Sequence, residues 1–164
     1  MQLADQAKVM WFEHSEPGDL LVGRIRNDDP HFVVVRVEPH PQLGDDRPAV
    51  VILKYVAQQP ARPSFEHLEN NPAALNLGKD WFFDVSVVDH APKFSALGND
   101  AVLVRSGASY FVRLADGLFL AVDDCKIELE RPFLRQPFAA WETFSVRLKL
   151  PGEKGESVEI CSWP

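Results

Sequence analysis

Residues 102–132 read "VLVRSGASYFVRLADGLFLAVDDCKIELERP". Tyr110, Val112 and Leu114 fall at every second position, Ala115-Asp116-Gly117 follows, and Leu118, Leu120 and Val122 resume the same spacing. A period of two puts each set on one face of a β-strand. A three-residue link ending in Gly suits a hairpin, because Gly accepts the left-handed backbone that precedes the return strand. The turn pins the register, and the register decides which side chains meet the core.

The same signal recurs outward in both directions. "LLVGRIR" (residues 20–26) and "FVVVRVE" (residues 32–38) read as two strands joined across "NDDPH", a turn-forming run. "AVVILKYV" (residues 49–56) is almost continuously apolar, as in a central strand with both faces covered. "WFFDVSVVD" (residues 81–89) sets Trp81, Phe83, Val85 and Val87 against Phe82, Asp84, Ser86 and Val88. "KIELE", "TFSVRLKL" and "SVEICSW" close the series. One short helix is expected over residues 65–69, with Ser64 as its N-cap and Asn70, Asn71 and Pro72 ending it. The fold class is therefore all-β: an antiparallel sandwich or barrel of about ten strands with one short helix. Residues 1–164 are read as a single β-rich domain, with residues 1–15 a flexible or helical N-terminal arm.

Composition narrows the function classes. A chain of 164 residues, 46% hydrophobic and 25% charged, supports a core without metal or disulfide staples. A net charge of -7 argues against nucleic-acid binding, which uses a basic face. No apolar run reaches the roughly 18–20 residues that cross a bilayer, so no membrane contact is expected. The acidic first twenty residues do not resemble a secretory signal, and the expected location is cytoplasmic. Cys125 and Cys161 are read as free thiols in a reducing compartment, with one disulfide as the alternative.

Residues 101–146 resemble one repeat of a fascin-like β-trefoil. The matching pieces are "VLVRSGASYFV", "LADGLFLAV" and "AWETFSV", with Trp141, Glu142 and Phe144 as the closing signature. The likeness covers about a quarter of the chain, whereas a trefoil uses three units of roughly 40 residues. "DWFFDVSV" echoes the closing piece, Phe83 standing opposite Phe144. The resemblance implies a trefoil as a second fold and binding of sugars or protein as the role.

Candidate chemistry is sparse. Glu38 and His40 share a strand face and are the candidate metal ligands, with His31 of opposite parity as a third. His67 beside Glu66 and Glu69, and His90 beside Asp89, have the setting of an oriented general base. The pairs Asp28-Asp29, Asp45-Asp46 and Asp123-Asp124 read as solvated turn residues. No nucleophile elbow, phosphate loop or dinucleotide fingerprint occurs, and no cofactor is called for. The aromatics are the better lead: Phe82 and Phe111 alternate out of phase with the apolar faces of their strands, as a ligand-binding platform would. The expected role is a non-catalytic binding module for a protein or glycan. A small metal-assisted β-barrel enzyme and an assembly subunit are the alternatives, and oligomeric state is left open.

Overall fold

The computed structural model describes residues 7–23, 32–55, 62–69, 71–85, 93–94, 97–129, 136–151 and 155–163. Fifteen strands occur among them: β1 (Lys8–Trp11), β2 (Leu20–Gly23), β3 (Phe32–Val37), β4 (Ala49–Tyr55), β5 (Ser64–His67), β6 (Ala73–Asn76), β7 (Trp81–Asp84), β8 (Lys93–Phe94), β9 (Leu103–Ser106), β10 (Ser109–Arg113), β11 (Phe119–Ala121), β12 (Lys126–Glu128), β13 (Phe138–Trp141), β14 (Phe144–Lys149) and β15 (Ser157–Trp163). They form three antiparallel sheets, ordered β1-β6-β2-β3-β4-β5, β12-β11-β10-β9-β13-β8 and β15-β14-β7. The arrangement is all-β, consistent with a sandwich, and none of the sheets closes into a barrel.

The opening stretch folds as its spacing requires. Val112 pairs with Leu120 and Phe111 with Ala121. The Leu114 N–H donates to Leu118 O at 2.9 Å, closing the turn, and Gly117 takes a φ of 77°. In the first sheet β3 and β4 are buried nearly throughout, because two apolar clusters take alternate residues. Val33, Val35, Val37, Val51 and Leu53 face the main core, while Phe32, Val34, Val50 and Ile52 pack with Phe12 and Leu68 on the other side. The near-continuous apolar run of β4 is thereby explained.

The expected helix over residues 65–69 is a correction: Ser64–His67 is strand β5, and the only helical turns among the described residues are the 3-10 turns Phe12–His14 and Pro41–Leu43. A five-residue helix completes barely one hydrogen-bonded turn, so nucleation cost is never recovered. Pairing with β4 instead sets Phe65 opposite Val51 and lets it pack on the main core. Near the N-terminus, Lys8–Trp11 pairs with β6 and Phe12 is fully buried. The additional strands, β1, β5, β6, β8 and β13, are two to four residues long, too short for periodicity to show.

The main core draws on all three sheets: Val35 and Val51 from the first, Leu103 and Val112 from the second, Phe83 and Phe144 from the third. Its densest part is aromatic. Phe144 meets Phe83 edge-on at 4.9 Å between centroids and stacks on Trp163 at 6.5 Å. Such pairs contribute about 0.5–1.5 kcal/mol beyond the area they bury. Phe144→Ala is therefore expected to lower unfolding free energy by about 3–5 kcal/mol, read from urea denaturation. A loss below about 1 kcal/mol would contradict this packing.

Candidate functional site

Three consecutive residues of β7, Trp81, Phe82 and Phe83, line one wall of a cleft of about 430 Å³. Tyr110 of β10, the turn Val122–Cys125, Pro17, Gly18 and Lys79 complete its lining. The volume falls within the range of small-ligand and side-chain pockets. Phe82 also borders a second hollow of about 260 Å³, shared with Lys149, Leu150 and Ser157.

Each wall is held from behind. The Trp81 indole N–H donates to Gly18 O at 2.8 Å, and its ring meets Phe83 edge-on at 5.5 Å. Gly18, at φ 94°, donates its own N–H to Arg36 O at 2.8 Å. Only a residue tolerant of positive φ carries the chain through this bend. Asp19, buried beside it, accepts from Asn76 Nδ2 and from the Glu16 N–H, both at 2.9 Å. Tyr110 keeps the Arg105 guanidinium 5.4 Å from its ring centre, and Lys149 Nζ stands 5.9 Å from that of Phe82.

The charges at the rim are unevenly neutralised. Lys79 is held by Glu16 at 2.8 Å, which lowers the Glu16 pKa and raises that of Lys79. Asp124 lies 3.6 Å from Lys126 Nζ. Asp123 has no ion pair among the described residues and leaves an acceptor open at the mouth.

Cys125 lies in the cleft wall at φ 53°, the only described non-glycine residue with positive φ. Its thiol donates to Val122 O at 3.4 Å. Burial, with Asp124 next, pushes its pKa up to about 11. Burial does the same for Cys161, also to about 11. Both thiols are free, and at neutral pH neither is a nucleophile.

The structure separates the residues that the sequence grouped. Phe82 lies in the cleft. Phe111 faces the other side of the second sheet, packed against a small cluster of Ala101, Val104, Phe119 and Ala140. Its neighbour Tyr110 takes the cleft position instead. Glu38 follows the end of β3 and stands opposite Lys126 in an isolated parallel bridge, its N–H donating to Cys125 O at 2.9 Å and its O accepting from the Ile127 N–H at 3.1 Å, with its carboxylate 4.0 Å from Lys126 Nζ. His40 caps the turn Pro41–Leu43, its Nδ1 accepting from the Gln42 N–H at 3.2 Å. Among the described residues no three His, Cys, Asp or Glu side chains gather as a metal site; His31 lies outside them. His67 Nε2 contacts Leu43 O at 3.2 Å, and its buried Nδ1 has no partner among the described residues. Asp89 and His90 also lie outside the described residues. The cleft brings together Gly18, Trp81, Tyr110 and Asp123, and no spacing in the sequence signals that meeting.

A second exposed feature belongs to β1 and β6. Val9 is 78% exposed, Trp11 52% and Leu75 38%. Val9 and Leu75 are direct partners, and Leu75 also pairs with Val22, which packs on the main core. The patch is the inward face of the first sheet continued past its cover.

No family model, curated protein or solved structure matches the chain. No described helix is long and apolar enough to cross a membrane.

The thiols carry a pH prediction. Folding holds them neutral up to about 11, whereas an unfolded thiol ionises near 8.5. Below about pH 8.5 the stabilisation is complete, and it is lost as pH rises towards about 11. The urea midpoint should fall across that window, and fall less in a Cys125→Ala/Cys161→Ala variant. Equal slopes would contradict thiol burial.

Proposed function

We propose that this protein is a non-catalytic binding module whose aromatic cleft receives part of another protein. The observation that carries the reading is the cleft itself: Trp81, Phe82, Phe83 and Tyr110 converge on one hollow with an open carboxylate, Asp123, at its mouth. Aromatic side chains dominate interface energies because a ring buries a large area at small entropic cost. The lining is mainly apolar, with few side-chain donors, which suits an apolar protein side chain better than a hydroxyl-rich sugar. The fascin-like resemblance implies the same binding role. A cytoplasmic setting belongs to this reading, supported by two buried cysteines that remain free thiols.

The test is selection against immobilised protein with a displayed library of random dodecapeptides, alongside a glycan array. Peptides should be enriched, and Phe82→Ala and Tyr110→Ala should each weaken them about tenfold or more while urea unfolding stays cooperative. Retention of glycans alone would replace the protein partner by a carbohydrate. Enrichment indifferent to both substitutions would remove the cleft from the function.

Assembly is a second reading, favoured by the apolar face that Val9 and Trp11 on the edge strand β1 form with Leu75 on its neighbour β6. Two copies joined there would sediment as a dimer, and Trp11→Lys would return a monomer. A wild-type monomer at high concentration would dispose of it.

A further inference from the structure

We infer that the cleft captures its partner by strand addition: an extended peptide pairs with the outer edge of β7 and lengthens the three-stranded sheet. The inference rests on the binding role proposed above and specifies how the partner is held.

Successive residues of a strand point to opposite faces of its sheet. Trp81 and Phe83 face the core beside Leu148 and Val146, whereas Phe82 lies opposite Arg147 on the outer face. A hollow lying on either face would touch alternate residues only. This one touches Trp81, Phe82 and Phe83 in succession, so it runs along the strand's edge. Among the described strands β7 pairs with β14 alone and ends the order β15-β14-β7.

The register shows which backbone groups face the cleft. Lys149 N–H donates to Asp80 O at 2.8 Å, and the β7–β14 pairing matches Leu148 with Trp81 and Arg147 with Phe82. Lys149 and Asp80 are thus a hydrogen-bonded pair. In an antiparallel ladder such pairs alternate with non-bonded ones. Phe82 therefore turns its N–H and C=O towards β14, and Trp81 and Phe83 turn theirs away, into the cleft. Two donors and two acceptors at the spacing of a β-ladder match an extended backbone. A sugar or a helix presents no such row.

The walls add selectivity. An added strand would set alternate side chains against Tyr110 and Val122 on one side and pass the Phe82 ring on the other. Asp123 offers an exposed carboxylate with no ion pair among the described residues, while Lys79 is already held by Glu16. The occupant is an extended, mainly apolar segment of another protein with one Lys or Arg placed to reach Asp123.

Amide hydrogen exchange resolved by residue tests this, first on the free protein and then with a selected dodecapeptide. In the free protein the Phe82 amide should be protected and those of Trp81 and Phe83 should exchange quickly. Protected Trp81 and Phe83 amides there would overturn the inference, since the edge would already be engaged. At a peptide concentration about 100 times Kd, exchange at Trp81 and Phe83 should slow by on the order of tenfold to a hundredfold, with Phe82 unchanged. N-methylation of alternate peptide amides should then weaken binding about tenfold at one parity and little at the other. A peptide that needs Phe82 and Tyr110 yet protects neither amide would overturn strand addition and leave the binding role standing. A library with no cleft-dependent peptide would overturn both.

Discussion

One hydrogen bond determines where the cleft can be. The Trp81 indole N–H donates to Gly18 O, tying the edge strand of the third sheet to a loop that belongs to the first. Gly18 is itself bonded to Arg36 of β3, and Arg36 N–H returns to Asp19 O at 2.9 Å. The bend therefore moves only if the first sheet moves. For this half-buried indole N–H the bond contributes roughly 0.5–1.5 kcal/mol, which favours this seat for the ring. With Trp81 held, the adjoining backbone of β7 stands at a fixed distance from Tyr110. The cleft is the space that this leaves.

Burial beneath the cleft is layered. Two of the sheets are apolar on both faces, which is why the core divides into a main cluster and two satellites. A strand buried on both sides has no solvent-facing set of residues to spare. Polar groups are then confined to strand ends, where they bond the backbone. Arg36 illustrates it: Nη1 donates to Val37 O and Ala49 O, each at 2.7 Å, closing the end of the β3–β4 ladder. Burial lowers its pKa, Asp19 opposes that shift, and its Nε has no partner among the described residues.

The strands written in regular alternation were legible: Tyr110 to Val122, Phe144 to Lys149 and Ser157 to Trp163 emerge where the spacing puts them. The Ser64–His67 strand was not, because its helix-like capping signal is local and its partner, Ala49–Ile52, is separated from it by more than ten residues. Pairing of distant segments overrides local propensity. The candidate site divides similarly. Phe82 was legible because it stands out of phase beside Trp81 and Phe83. Phe111 obeys the same parity, but parity says only that a residue leaves one core. It is silent on a second cluster waiting on the other face. Asp123 and Gly18 carry no local mark, since their meaning comes from a fold that joins residues over 100 positions apart in sequence.

The cleft also bears on how the open sheet edges are guarded. Open sheet edges are where proteins stick to one another, and natural chains protect them with charge, shortness or cover. β1 is short and carries Lys8, yet it also carries exposed Val9 and Trp11. β7 lines the cleft together with Tyr110 and the Val122–Cys125 turn, so a chain that pairs with its outer edge must enter the cleft. On the strand-addition proposal, the cleft would admit a single flexible tail to that edge more readily than the edge of another folded molecule or of a growing fibril.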